Sequence, residues 1–222
     1  MAFFSITLFF FGISSPTIID IIDRLPLIFS PIRFTYLMLF FIFIGLSYYC
    51  VKAFRQSITL IQAMLFFINS LLQIVIVYYW YNEMPMYALL ALIMQMVGLF
   101  VFYITYAFNF DSLRTRLPIA AWFSWNVFFT LITINYNKVF YEWNGFELSD
   151  SLWAVIFLTL GAAFSLHVRY HYYDRLSPII FCLGYFGIII ANGLNNLFVS
   201  SAALFLMGVM IVGFIFIKKK NA

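Results

Sequence analysis

What constrains this chain most is where its charges are not. Acidic and basic residues punctuate the sequence and leave charge-free runs at 1–19, 34–51, 56–82, 84–110, 117–137, 151–168 and 176–217. A helix crossing a bilayer needs about 20 predominantly apolar residues, within a range of roughly 17–25. All but the last run hold one such helix each. The last is long enough for two, and Gly193-Leu194-Asn195-Asn196 interrupts it with a turn composition whose amides seek water. The runs predict eight helices, at about 2–19, 34–53, 57–80, 85–107, 117–136, 151–169, 176–193 and 197–217.

A closed barrel is the other structure that satisfies its backbone in lipid. It requires apolar and polar residues to alternate along each strand, and Phe40-Phe41-Ile42-Phe43-Ile44 does not alternate. Composition agrees with helices in lipid: 65% of residues are apolar and 9% charged, where a soluble domain carries about 25% charged residues. A cytosolic enzyme, a disordered tail and a secreted disulfide module are excluded. The expected fold class is therefore all-α, a polytopic integral membrane helical bundle with eight transmembrane helices. The alternative is seven, if residues 2–19 do not span, because Ser14, Ser15 and Pro16 weaken the lower end of that segment. A signal peptide is not expected there, since no Lys or Arg precedes Arg24.

Cations alternate between the loops. Lys52, Arg55, Arg114, Arg116, Arg169, Arg175, Lys218, Lys219 and Lys220 follow the even-numbered helices; Arg24, Arg33 and Lys138 follow the odd ones. Asp20, Asp23, Glu83, Glu142, Glu147 and Asp150 lie on the cation-poor side. The positive-inside rule assigns the rich side to the cytoplasm. Both termini are then cytoplasmic, in the plasma membrane if the chain is bacterial. Cys50 and Cys182 fall near the same side, where thiols stay reduced, so no disulfide is expected.

No Lys, Arg, Asp or Glu lies in the middle of a run, which argues against a proton pump, a proton-coupled carrier or a voltage sensor. Every lysine sits at a membrane edge, so a retinal Schiff base is excluded. No protease motif or phosphate-binding glycine loop is present. We therefore expect no catalytic residues, no cofactor, no metal and no nucleic-acid partner. The partners expected are membrane lipid and a small apolar ligand, with a homo-oligomer also compatible. One constellation bears on metal: His167, His171 and Asp174 would share a face if their helix continued through all three, and the preferred reading is a headgroup-level belt. The terminal lysines read as a topology anchor beside anionic lipid.

Polar side chains form stripes. Gln62, Asn69 and Gln73 share one face of helix 3, and Trp122, Asn126, Thr130 and Thr133 one face of helix 5. Helix 4 adds Gln95 and helix 7 adds Asn192. Such groups either bond neighbouring helices, at about 0.6 kcal/mol each, or line a cavity.

Helix 5 reads Arg116-Leu117-Pro118-Ile119-Ala120-Ala121-Trp122-Phe123-Ser124-Trp125-Asn126-Val127-Phe128-Phe129-Thr130, followed by Asn135. It resembles the fifth helix of the TspO/MBR family, the tryptophan-rich sensory and translocator proteins. Asn69, Gln73 and Trp80 ahead of Tyr81-Asn82 are similar to that family's third helix, and Ser30-Pro31-Ile32-Arg33-Phe34-Thr35-Tyr36 to the start of its second. Leu37, Met38 and Leu39 depart from it, standing where a pocket-lining tryptophan is expected. The resemblance implies a five-helix TspO-like bundle over 1–136 and a three-helix C-terminal transmembrane extension over 137–222. It further implies binding or transport of a flat apolar ligand, tetrapyrrole- or sterol-like. Asn69, Gln73, Trp80, Trp122, Trp125 and Asn126 are the expected ligand-binding residues. The alternative is a structural or partner subunit of a membrane complex, with the stripes as docking faces. A lipid-modifying enzyme using His167, His171 and Asp174 is the least favoured.

Overall fold

A computed structural model describes residues 17–55, 58–106 and 110–217. The expected helix over 2–19 lies outside the described residues except for its last three. From Thr17 onward the chain forms a short helix, α1 (Ile18–Ile22), closed by a capping box in which the Thr17 hydroxyl accepts from the Asp20 amide and the Asp20 carboxylate accepts from the Thr17 amide. Asp20, expected in a loop, is thus a capping residue.

Seven longer helices follow: α2 (Met38–Arg55), preceded by a 3-10 turn at Arg33–Leu37, α3 (Leu60–Tyr81), α4 (Pro85–Ile104), α5 (Phe110–Phe140), α6 (Asp150–Tyr172), α7 (Leu176–Asn192) and α8 (Leu197–Phe216). No strand occurs among the described residues. Six of the helices are long and apolar enough to cross a membrane, the 3-10 turn being counted with α2; α7, at 17 residues, is apolar but shorter. Their lipid-facing character is visible in what they expose. Phe41, Phe205 and Phe216 are 70%, 70% and 76% exposed, and each stands among other exposed aliphatic side chains. Apolar surface on that scale needs a solvent other than water, and an integral membrane protein follows.

Local chemistry explains the helix ends. Thr59 and Gln62 form a second capping box at the start of α3, so Gln62 closes a helix end rather than extending the stripe below it. Pro85 occupies the first position of α4, where its missing N–H leaves nothing unpaired. Gly193 adopts φ 49° directly after α7, a backbone region glycine enters without penalty, and the expected break between the last two helices is located there. The largest departure is in α5. A start at about 117 is expected, but the helix begins at Phe110 and holds Pro118 inside it. Gly45 of α2 accommodates the ring: a side chain at that glycine would meet the Pro118 Cβ at 3.3 Å.

The chain divides into two compact units. The first holds the described part of Met1–Leu25 together with Met38–Asn126, and the second Pro26–Leu37 with the chain from Val127 onward. In the first unit α3 packs against α4, and α1 against α3. In the second, α6, α7 and α8 pack pairwise, with the 3-10 turn on α7. Glycines permit the closest approaches in the second unit: Gly184 lies against the Phe128 ring and Gly187 against Thr35 and Pro31. The Tyr185 hydroxyl donates to the Leu158 carbonyl, and Lys138 pairs with Asp150.

Candidate functional site

The two amide stripes of the first unit meet. Asn69 and Gln73 lie one turn apart on α3, Gln95 midway along α4, and Trp122 and Asn126 one turn apart on α5. The Trp122 indole N–H donates to the Gln73 side-chain carbonyl (3.4 Å), and the Gln95 amide donates to the same oxygen (3.1 Å) and to the Asn69 backbone carbonyl (2.9 Å). The Asn126 amide donates to the Gln95 side-chain carbonyl at 2.6 Å. Asn69 and Gln95 are fully buried, and Trp122 and Asn126 are 3% and 2% exposed. Gln73 is half-buried. The stripe on helix 5 therefore faces protein, not lipid, over its first turn.

Aromatic rings border this network. Phe66, one turn above Asn69, meets the Trp122 ring edge-on at 6.2 Å and also packs on Tyr49 and Phe102. Tyr49 and Tyr106 share a hydrogen bond between hydroxyls at 2.6 Å. The Arg116 guanidinium lies 5.2 Å from the Tyr103 ring centre, and Tyr103 stacks on Phe123. The arrangement offers flat apolar faces beside a few oriented amides, the composition by which ligand pockets hold rigid apolar molecules.

Of the six residues expected to bind ligand, the hydrogen bonds unite Asn69, Gln73, Trp122 and Asn126. Trp80 and Trp125 are buried, at 1% and 4% exposure, and none of these bonds reaches them. Gln95, outside the expected set, is the hub: it bonds to α3 twice and to α5 once. Its one sequence signal is an amide on an otherwise apolar helix. The lower part of the helix 5 stripe is satisfied locally, Thr133 donating to the Phe129 carbonyl at 2.9 Å. Asn192 donates to the carbonyls of Ile28 and Ile188, both at 2.9 Å, and so ties a loop to α7.

A family model described as TSPO-like protein matches residues 1–216. The chain belongs to the TSPO-like protein family. No curated protein and no solved structure matches it.

Elsewhere in this TSPO-like chain, the histidine constellation is not aligned. His167 and His171 are exposed, with ring centres 4.3 Å apart. Tyr173 turns left-handed (φ 53°) and ends α6. Asp174 is buried instead and accepts from the Leu176 amide at 3.0 Å, at the start of α7. Among the described residues no group of three or more His, Cys, Asp or Glu is placed to hold a metal ion. Cys50 and Cys182 are free thiols. Two clefts lie in the second unit. One of about 230 Å³ is lined by apolar side chains of residues 178–183 and 210–214, the other of about 420 Å³ by residues 170–173 and 216–217.

Proposed function

We propose that this membrane protein binds or transports a small, flat, apolar ligand of tetrapyrrole or sterol type through its first unit. The observation that carries this is the Gln95-centred network: four of the six expected ligand residues converge on one buried, aromatic-walled set of amides. Trp80 and Trp125 belong to the same proposed binding set as aromatic wall. Family membership supports the reading. We further propose eight transmembrane spans with both termini on the cytoplasmic, cation-rich side, in keeping with the alternation of Lys and Arg between loops.

Fluorescence quenching by protoporphyrin in detergent tests the function. Quenching that saturates at one ligand per chain, and that weakens about tenfold in Trp122→Phe while the fold is retained, is the expected result. Quenching that never saturates would sink the proposal. A second reading, a partner subunit of a membrane complex, is favoured by one observation: the Asn126 NH2 already donates to the Gln95 oxygen within the protein. It predicts no saturable quenching and copurification with another membrane protein.

A further inference from the structure

Hydrogen-bond direction in the network is dictated by one atom. An indole N–H can only donate, so the Gln73 atom 3.4 Å from Trp122 Nε1 is the oxygen. Gln95 therefore turns its NH2 to that oxygen and to the Asn69 carbonyl. Its own oxygen then faces Asn126, whose NH2 must donate. The chain of bonds has a single sense, and the Gln73 carbonyl, receiving two donors, has both its lone pairs engaged.

What remains on Gln73 is its amide nitrogen, carrying two N–H donors. Neither finds a partner among the described residues, and the side chain is half-buried rather than sealed. Asn69 offers no competing donor: its unpartnered side-chain atom is the oxygen. Its NH2 donates to the Leu65 carbonyl at 2.8 Å, and its oxygen lies where Gly98 lacks a side chain, 2.7 Å from the position a Cβ would take. An amide donor left unpaired at membrane depth is unfavourable, and a ligand acceptor removes the deficit.

We propose that the site selects its ligand by a hydrogen-bond acceptor, a carbonyl or carboxylate oxygen received by the Gln73 NH2. This rests on the ligand-binding reading above and adds the polarity of the group recognised. A flat hydrocarbon without an acceptor binds poorly. Two sources carry the required chemistry: a porphyrin with carboxyl-derived side chains, and a sterol ketone.

The test uses matched pairs with the full chain in nanodiscs. Protoporphyrin IX dimethyl ester is compared with etioporphyrin, which lacks the ester carbonyls, by saturable tryptophan quenching. Labelled cholest-4-en-3-one is compared with cholestane, which lacks the ketone, by equilibrium binding. The acceptor-bearing member of one pair is expected to bind about tenfold more tightly, and the responding pair identifies the source. Gln73→Met, close in length but without donors, should abolish that preference, so that the two members of the responding pair bind alike. Equal binding of the two members in every pair that binds the wild-type chain would overturn the donor assignment and leave the pocket standing, as would a preference that survives in Gln73→Met. Binding of none of the four ligands would overturn the underlying function and this inference with it.

Discussion

Replacing Gln95 by Met removes the hub of the network while keeping the side chain's length. Gln95 is fully buried and makes three hydrogen bonds, at 2.6, 2.9 and 3.1 Å. Counted at the membrane average of about 0.6 kcal/mol each, the bonds together contribute about 2 kcal/mol. The distribution of the loss matters more than the sum. The Gln73 oxygen keeps the Trp122 donor, so little is lost there. Asn126 is left with an NH2 that has lost its acceptor, in a residue 2% exposed, and stranding such a donor costs about 1–3 kcal/mol. A loss of about 2–3 kcal/mol is expected for Gln95→Met, measured by reversible unfolding in mixed micelles. Removing both partners relieves the stranding. The double variant Gln95→Met with Asn126→Leu should therefore be no less stable than Gln95→Met alone, a coupling of about 1–2 kcal/mol. Additive losses, within about 0.5 kcal/mol, would refute the network as an energetic unit and reduce it to adjacent polar groups.

In the second unit, Gly184→Ala should destabilise by about 1–3 kcal/mol, because its Cβ would fall 2.5 Å from a carbon of the Phe128 ring, which is itself fully buried; thermal unfolding of the variant, with restoration in Gly184→Ala/Phe128→Leu, checks it. For topology, single cysteines in a background lacking Cys50 and Cys182 should react with an impermeant maleimide from outside at positions 83 and 145, and only after permeabilisation at position 172. External labelling at 172 would contradict the proposed count of spans.

Most of the helices were legible because charge is so costly in hydrocarbon that its exclusion marks each segment; α2, α3, α4, α6, α7 and α8 start and end close to where the charges and turn residues indicate. What was not legible shares one cause, a local signal that depends on a neighbour. The expected start of helix 5 at about 117 falls beside Pro118, and Gly45 leaves space for that ring inside a longer helix. Gln62 has the spacing of a stripe residue but lies three positions after Thr59, where it caps. His167, His171 and Asp174 have helical spacing, and the left-handed Tyr173 ends the helix before the spacing can act. Gln95 was visible only as an isolated amide. Its partners lie 26 residues upstream, at Asn69, and 31 downstream, at Asn126. Periodicity shows which residues share a face of one helix, not which faces meet.

The parity of spans in the second unit has support that does not come from hydropathy. A helix end leaves its last carbonyls without intrahelical donors and carries partial negative charge. Arg169, 6% exposed, donates one guanidinium nitrogen to the Tyr173 carbonyl, just past the end of α6, and another to the Phe214 carbonyl in the last turn of α8, at 3.2 and 3.1 Å. Its guanidinium also lies 5.2 Å from the centre of the Phe214 ring. One cation thus serves two helix C-termini and holds them side by side, as the proposed topology requires. The loop charges require that of helices 6 and 8, since Arg169, Arg175 and Lys218 to Lys220 were all assigned to the rich side. The proposed pair of spans over 176–217 accounts for this contact, because a single span there would put the end of α8 at the opposite edge from Arg169.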